Sequence, residues 1–158
     1  MARPFPRGFT LVEMLVVVVI VSILASIALP LAELESRRQR EVELRANLRQ
    51  IRDALDAYKR AVDQGRIARK ADESGYPTTL DDLVDGITDQ TDPQRRRIYF
   101  LRRVPRDPFA QESLAASATW GTRSYESPPD DPKRGRDIYD VHSLSTDTGI
   151  NGVPYRKW

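Results

Sequence analysis

The sequence predicts an α+β fold in which one long N-terminal helix packs on a small antiparallel β-sheet. Three observations lead there. Residues 14–32 form nineteen consecutive positions without formal charge. A helical apolar stripe follows at Leu44, Leu48, Ile51, Leu55, Tyr58 and Val62, recurring at spacings of four and three. Farther on, Trp120 to Tyr125 and Asp137 to Leu144 read as two strands, separated by the turn-rich Pro128-Pro129-Asp130-Asp131-Pro132. A length of 158 residues fits one small globular domain plus a segment outside its core.

The first element, Met14 to Ala32, is rich in Val, Ile, Leu and Ala. At a rise of about 1.5 Å per residue it can cross a hydrocarbon layer roughly 30 Å thick, so it reads as a transmembrane helix. Arg3 and Arg7 precede it, and the positive-inside rule then places the N-terminus in the cytoplasm and the rest of the chain outside. An ordinary secretory signal peptide is the competing reading, because Ser26-Ile27-Ala28 has a small-x-small pattern. Two features oppose it: Glu13 interrupts the start of the apolar stretch, and the pattern runs directly into an amphipathic helix. A carboxylate at the centre of a membrane helix costs on the order of 2.5–3.5 kcal/mol, so Glu13 calls for a partner. No Lys or Arg lies within two helical turns on its C-terminal side. The alternative is that Glu13 snorkels at the headgroup edge. Pro30 removes a backbone hydrogen bond late in the run and predicts a kink or local loosening.

Arg7-Gly8-Phe9-Thr10-Leu11-Val12-Glu13, followed by the apolar run and Pro30, resembles the class III leader of type IV pilins and pseudopilins. The resemblance implies a leader over residues 1–8, cut by a prepilin peptidase between Gly8 and Phe9, and N-methylation of Phe9. It also implies a transmembrane and polymerisation helix over 9–32. The remainder, 33–158, is then a pilin-like periplasmic domain that includes the amphipathic half of the helix. Glu13 becomes the fifth residue of the mature chain. An α-amino group has a reference pKa of about 7.7–8.0, so the ammonium of a cleaved Phe9 can neutralise Glu13 of a neighbour in a stack of staggered helices. In that family a proline at the place of Pro30 marks where the helix melts on polymerisation.

From Phe9 to about Val62 the helix would be ~80 Å long, with Gly65 as its stop. A two-chain coiled coil is an alternative for the stripe, but only about three heptads are present. Residues 66–74 are polar and read as a loop. Tyr76-Pro77-Thr78 then leads into a short helix with Thr79 as its N-cap. Ile98-Tyr99-Phe100-Leu101 reads as a strand or short apolar turn, and Val104 to Phe109, with two prolines, as a rigid corner. The tyrosine-proline-threonine segment and Pro105-Arg106-Asp107-Pro108-Phe109 are similar to elements of the major pseudopilins of type II secretion systems. The charged residues inserted before Gly75 depart from the compact form of that family.

The C-terminal segment Tyr139 to Gly152 is rich in Asp, Ser, Asn and Gly, which suits an oxygen-lined loop. In the major pseudopilins a similar loop binds calcium, and the resemblance carries that role to Ser143, Asp147 and Asn151. The match is incomplete: Thr148 stands where the family often has glycine, and no acidic cluster follows Asn151. Calcium takes six to eight oxygens, so a weak or lost site and a hydrogen-bonded turn are the two readings, with the turn favoured. Val153 to Trp158 offers aromatic burial as another way to pin this terminus.

Composition excludes several function classes. Without Cys, neither a disulfide, an iron–sulfur cluster nor a thiolate zinc site can form, and the one histidine, His142, builds no multi-histidine centre. Net charge is +2, but setting aside Arg3 and Arg7 leaves 23 basic side chains against 23 acidic ones, weak grounds for nucleic-acid binding. No phosphate loop, nucleophile–histidine pair or metal-ligand spacing is present, so no catalytic residue is assigned. The expected role is a polymerising structural subunit of a pseudopilus. The expected partners are copies of itself, minor pseudopilins, the prepilin peptidase and an inner-membrane assembly platform with a cytoplasmic ATPase. A minor or adhesive type IV pilin is the alternative, one that binds DNA through Arg95-Arg96-Arg97 and Arg102-Arg103. The plainer account of those arginines is a solvated charged surface.

Overall fold

The computed structural model describes residues 9–70 and 72–158, and at 27–30 the backbone alone. Arg3, Arg7 and Gly8, with the rest of the expected leader, lie outside the described residues. Helix α1 runs Leu11–Asp63, close to the expected span, and its backbone is helical through Pro30. The chain divides into two compact units, one ending at Gln39 and the other running Arg40–Trp158, and α1 contributes to both.

Gly65 ends α1 as the sequence predicts. It sits at φ 71°, its N–H donates to Val62 O at 2.9 Å, and the N–H of Arg66 reaches back to Ala61 O at 2.9 Å. These two bonds form a Schellman motif, in which a left-handed residue that glycine adopts without strain satisfies the last carbonyls. Ile67 then folds back and is buried with Ala61 and Val62.

In the second unit the stripe of α1 is the core. Leu44, Leu48, Ile51 and Leu55 are at most 2% exposed and cluster with Leu80, Leu83, Leu101, Val104, Trp120, Val141 and Tyr155. The chain thus covers its own stripe, and the coiled-coil alternative falls away. Burial of each such side chain is worth about 1.5–3 kcal/mol.

Helix α2, Asp82–Asp85, follows the Tyr76-Pro77-Thr78 segment. Its N-cap position is Asp81 rather than Thr79, but the expected capping chemistry is present two residues earlier. Thr79 Oγ1 accepts the N–H of Asp82 at 3.2 Å, while Asp82 Oδ2 accepts the N–H groups of Thr78 and Thr79. Pro77 O in turn accepts Ile138 N–H at 2.8 Å, and the ring of Tyr76 meets that of Tyr139 edge-on at 5.1 Å.

The strands make two separate antiparallel pairs instead of one sheet. Strand β1, Ile87–Thr88, which the sequence pattern does not announce, pairs with β2, Arg97–Ile98. Of residues 98–101, read as a strand or a short apolar turn, only Ile98 belongs to the ladder. Phe100 and Leu101 both donate their N–H groups to Leu83 O, at 3.0 and 2.9 Å, which makes a turn over α2. Strand β3, Trp120–Arg123, pairs with β4, Asp140–Ser143, and Tyr125 lies beyond the end of β3. The proline corner docks on β3 through Trp120, whose indole N–H donates to Pro105 O at 2.8 Å.

Gly121 stands opposite His142 across the ladder, and a Cβ there would lie 2.2 Å from the His142 ring. The imidazole occupies the space that a side chain would need. Gly121→Ala is therefore expected to displace His142 and lower unfolding stability by about 1–3 kcal/mol, readable in a urea titration.

Candidate functional site

Phe9 precedes α1 and is exposed. Thr10 starts the helix: its carbonyl accepts the N–H of Met14 at 3.1 Å, and its hydroxyl oxygen accepts the N–H of Glu13 at 3.2 Å. Thr10-Leu11-Val12-Glu13 is thus the serine/threonine-x-x-glutamate order of a capping box, with the hydroxyl half of the pair formed. Residue spacing alone was enough to find this cap, but a reading centred on the charge of Glu13 passes over it. The cap fixes Glu13 in the first helical turn. There the exposed N–H groups and the helix dipole favour a negative charge, by about 0.3–1 kcal/mol.

Glu13 is exposed, and among the described residues no side chain pairs with its carboxylate. Every large apolar residue from Leu11 to Leu24 is also exposed, none below 46%. The two hydroxyls in this run bond within the helix, Ser22 Oγ to Val18 O and Ser26 Oγ to Ile23 O, both at 2.7 Å. This is one helix long and apolar enough to cross a membrane, with both serine hydroxyls satisfied by its own backbone. Pro30 lies within it.

At the other end, Ser143, Asp147 and Asn151 each have their own surroundings. Ser143 is fully buried and donates its hydroxyl to Asp107 Oδ2 at 2.5 Å. Asp107 is itself buried and accepts Phe109 N–H through Oδ1 at 2.8 Å. It is a turn residue, as its sequence context suggests, that also braces β4. Asn151 Oδ1 accepts Val153 N–H at 3.1 Å. Asp147 is exposed, and its carbonyl accepts Tyr155 N–H at 3.1 Å. Among the described residues, no group of three or more His, Cys, Asp or Glu side chains is placed to hold a metal ion.

The loop closes instead on α1. Glu41, 5% exposed, accepts Ile150 N–H at 2.6 Å and the Tyr155 hydroxyl at 3.0 Å, both on Oε1. Tyr155 stacks on Phe109 at 4.2 Å and meets Trp158 edge-on at 5.0 Å. Arg45 lies over the Trp158 ring at 4.2 Å, and Arg52 donates to Trp158 O at 2.8 Å. The expected aromatic pinning by the last residues is present. Glu41 was not legible as part of it, because a charged residue on an amphipathic helix gives no local sign of facing inward.

Two of the five arginines of the cluster are engaged within the domain. Arg96 pairs with Asp92 at 2.6 Å, and Arg97 donates to Asp85 O at 2.9 Å. Arg66, at the start of the charged loop, holds Asp89 through two donors, at 3.0 and 2.7 Å. Hydrogen bonds from Thr91, then from Arg66, lower the Asp89 carboxyl to about 2. His142, half-buried, is shifted below the imidazole value of 6.5, chiefly because burial disfavours its cation.

The family described as the prokaryotic N-terminal methylation motif matches residues 6–29. The type II secretion system core protein G of Klebsiella michiganensis is 34% identical over 113 residues, covering 69% of this chain and 72% of the relative. Its counterparts from Dickeya chrysanthemi and Vibrio cholerae are each 32% identical, over 110 and 108 residues. Those matches cover 67% and 66% of this chain, and 65% and 66% of the relatives. No solved structure matches the chain.

Both shifted groups bind protons more weakly in the folded chain than in the unfolded one, so both contribute stability that is lost as the pH is lowered. The His142 contribution declines as pH drops below 6.5. The Asp89 contribution is lost between the usual carboxylate value of about 4 and its folded value of about 2. In an acid unfolding series, Asp89→Asn is expected to flatten the second decline and leave the first.

Proposed function

The chain belongs to the family of type II secretion system core protein G, the major pseudopilin, and we propose that it is a structural subunit of a periplasmic pseudopilus that drives protein export. The observation that carries this reading is an exposed Glu13 in the first turn of α1, shortly after Phe9, on a segment whose large apolar residues from Leu11 to Leu24 are all exposed. Such a helix needs a membrane or other helices around it, and its carboxylate needs a cation.

A prepilin peptidase cuts between Gly8 and Phe9 and methylates the new amino group of Phe9. The chain then waits in the bacterial inner membrane as a single-pass protein, N-terminus cytoplasmic and globular domain periplasmic. Assembly stacks the apolar helices with an axial stagger, and the ammonium of one subunit's Phe9 meets Glu13 of its neighbour. In a low-dielectric bundle this pairing relieves a charge that the isolated subunit leaves without a partner. Pro30 is the point at which α1 can loosen during that step, since it carries no N–H to lose. Minor pseudopilins and an inner-membrane platform with a cytoplasmic ATPase complete the machine. The chain itself is a mechanical part with no catalytic role, a reading supported by its likeness to the core protein G relatives.

An adhesive, DNA-binding pilin is less well supported. Two of the five arginines that such a role would use, Arg96 and Arg97, are already bonded within the domain.

After co-expression with a prepilin peptidase, intact mass and N-terminal sequencing are expected to give a chain beginning at N-methylated Phe9. Cleavage after Ala28, or none, would overturn the assignment. Glu13→Ala is expected to be processed normally but to lose at least about tenfold in sheared pseudopilus yield, the effect of roughly 1.4 kcal/mol per subunit contact. Fibres at wild-type yield would sink the charge pairing.

A further inference from the structure

We infer that in this chain a protein carboxylate, Glu41, takes the place of a bound cation as the anchor of the C-terminal loop, so that the domain closes without calcium. The three side chains expected to hold calcium offer few oxygens to an ion that takes about six to eight. Ser143 Oγ is committed to Asp107, Asn151 Oδ1 to Val153 N–H, and Asp147 is the only carboxylate of the three.

The polarity of the closure is the stronger argument. A cation would draw loop oxygens inward, whereas this loop turns two hydrogen donors inward, the Ile150 N–H and the Tyr155 hydroxyl, onto one buried carboxylate oxygen. A carboxylate oxygen at the centre accepts both, and its charge strengthens each bond. The contacts join residues 109 and 114 positions apart in the chain. They therefore restrain the same long loop that a disulfide or metal clip would restrain. Arg45 over Trp158 and Arg52 on Trp158 O extend the attachment about one and three turns along the same helix. Glu41 is a positioning residue: it sets where residues 149–155 lie against α1. This holds whether or not the chain assembles as proposed above.

The test uses the full-length processed protein in detergent, with calcium chloride as the probe. Thermal unfolding is expected to give the same midpoint in millimolar calcium and in excess chelator, and titration calorimetry to show no saturable binding. Glu41→Ala is expected to lower the midpoint by about 5 °C and speed limited proteolysis within residues 145–153 by about tenfold. Asp147→Ala should change neither. A calcium-dependent rise in midpoint, or a saturable isotherm abolished by Asp147→Ala, would overturn the inference, as would wild-type behaviour of Glu41→Ala. Should Glu41→Ala not accumulate, Glu41→Gln decides. It keeps an acceptor oxygen but not the charge, so faster loop cleavage supports the anchor and wild-type cleavage refutes it.

Discussion

One helix face has to leave water before anything else in the C-terminal unit can hold its shape. Two-stranded ladders of two and four residues per strand are marginal by themselves. What organises them is the row Leu44, Leu48, Ile51 and Leu55 of α1, against which Leu83 of α2, Leu101, Trp120 of β3 and Val141 of β4 are packed. Each short element supplies one or two side chains to that row, and its backbone is then tied by a few directed bonds. Leu83 O receives the turn at Phe100 and Leu101, Pro105 O receives the Trp120 indole, and Pro77 O receives Ile138 N–H. Domains of this size with so little regular sheet often rely on disulfides, and none is possible here.

Buried polar groups carry the rest of the specificity. Glu41, Asp107, Thr119 and Ser143 are all inside, and among the described residues no buried side-chain nitrogen or oxygen lacks a hydrogen-bond partner. Each therefore acts as a fixed point instead of a liability. Ser143 and Asp107 bind the end of β4 to the proline corner, and Glu41 binds the last loop to α1. Both connections link residues far apart in the chain, which is why a largely irregular segment from residue 100 onward keeps one arrangement.

The two ends of α1 express opposite requirements with the same geometry. In its second half the apolar residues form one stripe, and the rest of the chain covers it. From Leu11 to Leu24 nearly all faces are apolar and none is buried, the pattern of a segment whose solvent is lipid or neighbouring helices. Membership of the core protein G family and the match to the methylation motif give that exposure its meaning as a membrane anchor.

Much of this was decided by sequence alone, because the deciding signals are local. The apolar run, the spacing of the stripe, the stop at Gly65, the proline corner and the strand positions near Trp120 and Val141 each follow from composition or period within a dozen residues. The Gly8-Phe9 and Glu13 pattern is likewise contiguous. The capping box at Thr10 was equally local and was simply overshadowed by the charge beside it. Only the tertiary structure could decide that β1 exists, that the strands form two pairs, that His142 fills the space over Gly121, and that Glu41 faces inward to hold Ile150 and Tyr155. Hydrophobic periodicity states which face of an element is buried, but a hydrogen bond between residues more than a hundred positions apart depends on where the chain returns. That return is set by packing of the whole core and leaves no trace in either partner's neighbours.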